Sequence, residues 1–312
     1  MTGRRLLIHS LFLLLLPIAV AWLGIGVAGA VGLVALALLW RWAIALSNLV
    51  APPRLPDLEL ETISASHFVE KVRWSLDRLG VDYREKPVGG ALGAFFLGRT
   101  VPVLKFRTGA VRSSIGNSPE ILRYLWGRYA VERGEQAEFL RPTRERLELE
   151  AQVDRCGVDL QVWVYSHILN DRELTLRAWG ADSPAIPAWQ RALLRLLFPL
   201  LRFMIRKSFR ITPKRHAKAI EHVNDLLGGV EERLADGRRS ILGGDEINFS
   251  DIAFAAIMGL WAMPPQFGGG KADAVRVDIG ECSEAMQEEV AAWKSGYPRS
   301  AGFIERLYEE RR

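Results

Sequence analysis

Two serine-headed junctions carry the residue types and spacing that could do chemistry in this chain of 312 residues. Ser64 and Ser66 stand between an alternating run, Leu58–Ile63, and an apolar-periodic run that starts at Phe68. Asn117 and Ser118, with Pro119 directly after, stand ahead of a second helical run. A serine at a helix start has two uses. Its oxygen can cap a free backbone N–H, and its hydroxyl, beside the partial positive charge of the helix N-terminus, can help hold an anion. His67 reads as a turn residue rather than a base. Other reactive residues are sparse. Cys156 and Cys282 are the only cysteines and form neither a CxxC pair nor a cluster, so both read as core or surface thiols. The five histidines show no HExxH or comparable spacing, so no metal site is expected. No GxxxxGK[ST] phosphate loop occurs, and Gly268–Gly270 signals a flexible loop only. Asn248 and Asp251, just before an apolar run, have the spacing of a capping box, which is a folding element.

These junctions need strands and helices to position them. Leu58–Ile63 has the two-residue period of a half-buried strand. Phe68, Val72, Leu76 and Leu79 fall at helical spacing, and Gly80 stops that helix. Further strands are expected at Tyr83–Val88, Val101–Phe106 and Ala110–Ile115, with a short helix before the third, and a helix over Ser118–Tyr129. After Trp126 the pattern is almost wholly helical: Arg141–Leu169 as one helix, a polar loop over Asn170–Pro187, then Ala188–Arg210, Pro213–Leu234 and Ile252–Trp261. A last helix is expected near Glu284–Trp293 or Arg299–Glu310. In Ala188–Arg210, Arg191, Arg195, Arg202, Arg206 and Arg210 recur at spacings of four and seven, which puts them on one face. No acidic residue occurs from Ala188 to Arg215. This basic amphipathic stretch, kinked at Pro199, reads either as a headgroup-lying helix or as a core helix whose arginines pair with distant acids.

Three local matches resemble the glutathione transferase family: Ser66-His-Phe-Val-Glu-Lys-Val-Arg73, Val101-Pro102, and Asn117-Ser118-x-x-Ile121-x-x-Tyr124-Leu125. The first is similar to the catalytic turn of the omega and zeta classes. The resemblance spans roughly Leu58–Trp126 and returns at Gly244–Ala255. It implies an α+β fold, with a thioredoxin-like glutathione-binding domain over 58–130 followed by an all-α C-terminal domain over 140–312. It further implies a cis Val101–Pro102 step against the cysteinyl part of glutathione. Ser66, with Ser64 as the alternative, would donate to the glutathione sulfur. Asn117 and Ser118 would meet the γ-glutamyl group, although Asn117 stands where many relatives have Glu or Gln. Trp163, Tyr165 and Trp261 are candidate walls for a second substrate, or plain core aromatics. Serine at position 66 disfavours the omega-type thiol exchange and suits conjugation, isomerisation or peroxide reduction. The implied activity is conjugation of glutathione to an apolar electrophile, or reduction of a hydroperoxide with it, with glutathione as co-substrate and no metal. A non-catalytic transferase-like module that binds at a membrane surface is the alternative.

Hydrophobic residues make up 49% of the chain and mean hydropathy is +0.06; the N-terminus explains the excess. From Leu6 to Val50 only His9 and Arg41 are ionisable. About 20 apolar residues cross a bilayer, so residues 1–50 read as a transmembrane hairpin, Leu6–Leu23 and Ile25–Leu46, turning at Gly24–Gly29. Arg4, Arg5, Arg41 and Arg54 place both ends on the cytoplasmic side of the inner membrane. A cleaved secretory signal ending near Ala30 and a single uncleaved anchor are the alternatives. The Pro-rich stretch 51–57 reads as a stiff linker. Net charge is +5. Without a nucleic-acid motif, that charge points to anionic lipids rather than nucleic acid. Expected partners are glutathione, a small apolar substrate, membrane lipids and, by the same resemblance, a second copy of the chain.

Overall fold

The computed structural model describes Ala19, Gly24 and residues 26–50, 56–92, 101–108 and 111–311. The expected first span, Leu6–Leu23, lies outside the described residues apart from Ala19, as do residues 51–55 of the linker. The chain divides into two compact units: residues 1–57 with 106–113, and residues 58–105 with 114–312.

In the first unit, α1 (Gly26–Val50) is 25 residues long, roughly 37 Å at 1.5 Å per residue. That exceeds the ~30 Å of a bilayer's hydrocarbon core. Its stretch Gly26–Ala43 is long and apolar enough to cross a membrane, a test that a signal sequence also passes. Val27, Leu36, Leu39, Trp40 and Trp42 are exposed along it.

The second unit is built on β1 (Asp57–Thr62), α2 (His67–Leu79), β2 (Tyr83–Pro87), β3 (Val103–Thr108), β4 (Val111–Gly116) and α3 (Ser118–Arg133). The sheet order is β2-β1-β3-β4, and the β3–β4 tip counts with the first unit. Alternation in β1 buries Leu58 and Leu60. β1 pairs in parallel with β2, Leu58 opposite Tyr83 and Thr62 opposite Pro87, so a crossover is required, and α2 supplies it. Gly80 ends α2 in the left-handed conformation at φ 64°, its N–H donating to the carbonyls of Asp77 and Leu76. Only glycine takes that conformation without a Cβ penalty. The sequence of α2 is amphipathic, yet its charged side is buried as well. Lys71 pairs with Glu150 at 2.7 Å and Asp154 at 2.9 Å, and Arg73 with Glu70 and Glu85, each at 2.6 Å. Buried ions persist only when paired; the Lys71 pairs reach the helical half, whereas Arg73 joins α2 to β2 through Glu85.

That half comprises α4 (Arg144–Ile168), α5 (Arg172–Ala178), α6 (Ala188–Leu196), α7 (Phe198–Ser208), α8 (Pro213–Arg233), α9 (Phe249–Ala262), α10 (Glu284–Gly296) and α11 (Pro298–Glu310). α9 is the hub: apolar all round, it packs on α2, α4 and α11, as a fully buried helix must. The expected capping box starts it. Asn248 accepts from Ser250 N at 2.9 Å, and Asp251 accepts from Asn248 N at 2.8 Å.

Three expectations change. The 3₁₀ segment Gly134–Leu140 precedes α4, and Thr143 caps α4, so the single long helix from Arg141 begins later. The loop Asn170–Pro187 contains α5, capped by Asp171 through the N–H groups of Glu173 and Leu174. Seven residues are too few for a visible period. Ala188–Arg210 is two helices that part at Leu197, because Pro199 has no N–H and its ring clashes with the preceding turn. Its arginines are not all unpartnered: Arg195 reaches Asp182 at 2.7 Å, and Arg202 and Arg206 share the Asn170 side-chain oxygen.

Candidate functional site

A cleft of about 900 Å³ opens where the C-terminal end of β1, the N-terminus of α2 and the N-terminus of α3 meet α4 and α9, all within the second unit. Ser66, Val101, Pro102, Asn117 and Ser118 line it together. Ser64 is buried at 6% exposure and is not among the lining residues. The Val101–Pro102 bond is cis.

Ser66 is in extended conformation at the N-cap of α2, and its hydroxyl oxygen accepts from Val69 N at a long 3.5 Å. An acceptor bond leaves the hydroxyl proton free to donate elsewhere. First-turn N–H groups have no partner within their own helix, so the Ser66 edge of the cleft carries donors and the positive end of the α2 dipole.

The second junction is strained and partly unsatisfied. Asn117 holds φ 74° and ψ 128°, outside every ordinary well for a side-chain-bearing residue and worth about 1–3 kcal/mol of strain. Its N–H donates to Pro102 O at 3.2 Å, and its side chain makes no cap bond to α3. That conformation turns Ser118 inward. The Ser118 hydroxyl is 1% exposed and has no hydrogen-bond partner. A buried hydroxyl left so costs about 1–3 kcal/mol and is the kind of exception that a ligand resolves.

His67 is neither a turn residue nor a base. Buried and stacked on Phe68 at 4.3 Å, it donates from Nε2 to Gly157 O at 3.0 Å. Burial pulls its pKa down to about 4, against the opposing effect of that bond. The ring is therefore a neutral strut between α2 and α4. Gly157 permits the close crossing: a Cβ there would stand 2.9 Å from Phe68 Cζ and 3.1 Å from His67 Nε2.

The rest of the lining is largely apolar and includes Phe68, Tyr165, Phe209, Leu260, Met263 and Phe267. Of the three aromatic candidates, Tyr165 lines the cleft. Trp163 and Trp261 do not: both are fully buried and pack on Trp293, because they sit on the sides of α4 and α9 that face α10. Residues not foreseen include Phe209 and the cationic Arg276, whose guanidinium donates to Pro265 O and Met263 O. Phe209 is the C-cap of α7, whereas the Arg276 segment follows the left-handed C-cap Met263 and the Pro264-Pro265 pair, punctuation that marks a loop without saying where it folds. Both cysteines are free and buried, and burial pushes the Cys156 thiol up to about 12, so neither is a nucleophile at neutral pH. Among the described residues, one group has metal-ligand chemistry, His167, His216 and Glu289, although no spacing motif marks it.

No protein-family model and no curated relative matches the chain. Three solved structures are similar to the chain over most of its length, each at a TM-score below 0.5. A glutathione S-transferase from Methylobacterium radiotolerans in complex with glutathione sulfonate is 16% identical over 80% of this chain and 90% of its own, with a TM-score of 0.48. A glutathione S-transferase from Ceriporiopsis subvermispora in complex with glutathione is 17% identical over 82% and 97%, also at 0.48. A maleylacetoacetate isomerase from Anaeromyxobacter dehalogenans, with bound dicarboxyethyl glutathione and citrate, is 17% identical over 83% and 92%, at 0.40.

Proposed function

We propose that the chain is a glutathione transferase tethered to the inner membrane with its catalytic unit facing the cytoplasm, conjugating glutathione to an apolar electrophile or reducing a hydroperoxide with it. The observation that carries this reading is the meeting of Ser66 and the orphaned Ser118 hydroxyl in one cleft whose remaining lining is largely apolar. The Ser118 hydroxyl and the α3 N-terminus suit a carboxylate such as the γ-glutamyl one. The Ser66 hydroxyl and the α2 N-terminus suit a thiolate, which a free thiol near pKa 8.5 does not supply at neutral pH unaided. In conjugation that sulfur forms the new S–C bond, and the substrate gives up a leaving group or takes up a proton. Phe68, Tyr165 and Leu260 would hold an apolar partner beside it.

Two features support the membrane tether. One is the length and exposure of α1. The other is the outward face of α6 and α7, where Trp189, Leu196, Leu200 and Phe203 are exposed beside the exposed cations Arg206, Lys207 and Arg210. Apolar side chains ringed by cations suit an anionic headgroup layer, and apolar substrates concentrate in the adjoining bilayer.

The test is Ser66→Ala in the detergent-solubilised full chain, assayed against conjugation and hydroperoxide substrates. Loss of one positioned donor predicts a roughly 10–1000-fold fall in turnover, with glutathione binding retained. Unchanged turnover would move the donor to Ser64 or the backbone, and absence of glutathione binding in the parent chain would refute the transferase reading. A reporter fused after Arg312 that functions only outside the cytoplasm would refute the topology.

A further inference from the structure

Three helices that are distant in sequence converge on one carboxylate. His167 lies in the last turn of α4, His216 in the first turns of α8 and Glu289 in the middle of α10. Glu289 Oε2 stands 2.9 Å from His167 Nε2 and 3.6 Å from His216 Nε2, and the imidazole rings meet edge-on at 5.1 Å. One donor atom from each residue lies within 4.8 Å of the other two. We infer that His167, His216 and Glu289 form a binding site for a divalent first-row metal ion, Zn²⁺ in the first place.

The donor set is right for it. Two imidazoles and a carboxylate are borderline ligands that Zn²⁺ takes at about 2.0–2.2 Å. A tetrahedral ion at that distance holds its ligand atoms roughly 3.4 Å apart, and the two donor separations from Glu289 bracket that value. The surroundings are also arranged as they are around bound metals, where outer partners orient the ligands. Ser283 Oγ lies 3.3 Å from His167 Nδ1, so Nε2 is the nitrogen turned to the cluster. Trp163 Nε1 donates to Glu289 at 2.5 Å and fixes the carboxylate. His216 Nε2 is the unmet group: it is buried and makes no hydrogen bond, although it points at the same carboxylate. A metal would give that nitrogen a partner. Side-chain exposures of 8%, 20% and 26% for His167, His216 and Glu289 leave an entry path. Three protein ligands leave a fourth position for water. None of the three lines the glutathione cleft, so the ion would tie the end of α4 and the start of α8 to α10.

The experiment uses the full chain without a histidine tag, in detergent, stripped with EDTA and titrated with Co²⁺ as a visible probe. The expected result is tetrahedral d–d absorption that saturates at one equivalent, disappears on adding Zn²⁺, and is accompanied by a higher melting temperature. His216→Ala and Glu289→Gln should each weaken Co²⁺ binding by more than the roughly 10–100-fold that follows loss of an orienting partner. Circular dichroism in EDTA confirms that each variant is folded, and His216→Gln replaces His216→Ala if the latter is not. Absence of d–d bands in the parent chain, or bands of undiminished affinity in folded variants, would overturn the assignment. Glutathione turnover plays no part in the readout, so the outcome is independent of the transferase reading.

Discussion

Acidification should unlock the helix that carries Ser66, because His67 is folded in as a neutral ring. Its folded pKa is lowered to about 4 by burial, whereas an unfolded histidine titrates near 6.5. Between those values the unfolded chain binds a proton that the folded chain refuses, so this group's contribution is fully present above about pH 6.5 and is lost as pH falls toward 4. Integrated from pH 7 to pH 5, that loss is about 2 kcal/mol, a large part of a marginal stability. Geometry gives the same sign. The Nε2–H bond to Gly157 O already satisfies one nitrogen, and a second proton would place a charge in an apolar crossing. The assay is urea denaturation of the detergent-solubilised chain at pH 7, 6 and 5, beside His67→Gln, whose amide can still donate but cannot titrate. Every other titrating group cancels in the difference. The parent should lose about 2 kcal/mol relative to the variant by pH 5; a gap that does not change with pH would refute the buried neutral histidine.

Ser118→Ala removes an unpartnered buried hydroxyl, so stability should stay level or rise slightly. Glutathione affinity by calorimetry should fall roughly 10–100-fold, the worth of a hydrogen bond to a charged group; unchanged affinity would remove Ser118 from the site. Gly157→Ala should cost about 1–3 kcal/mol through overpacking against Phe68 and His67, seen as a lower melting temperature with no loss of helix by circular dichroism. A nitroxide at Leu200→Cys, the native cysteines being buried, should become inaccessible to a water-soluble relaxer in anionic nanodiscs and stay accessible in neutral ones. Equal accessibility in both would remove α6 and α7 from the membrane surface.

Periodicity and punctuation were enough to read much of the chain. The strands around Leu60 and Leu104, the start of α2 after Ser66, its stop at Gly80 and the capping box at Asn248 are written in residues within a few positions of each other, where local sterics and capping decide the conformation. The break at Pro199 is of the same kind, since a missing N–H acts on its own turn. Composition alone marks α1 as long and apolar, because the test needs only length and hydropathy.

What tertiary structure decided concerns residues that meet across long separations. Glu70, Lys71 and Arg73 belong by period to a solvent face, yet they are buried because opposite charges arrive from other elements: Glu150 and Asp154 for Lys71, Glu85 for Arg73 and Arg311 for Glu70. His67 is polar by type and a core strut by position, a role set by the carbonyl of Gly157. Tyr165 and Trp163 are two residues apart on one helix. Two residues turn an α-helix by about 200°, so one faces the cleft and the other α10, and only the placement of α10 says which. The histidines of α4 and α8 meet Glu289 in the same way. A sequence records the donors, but the distances between helices that make them a cluster arise from packing.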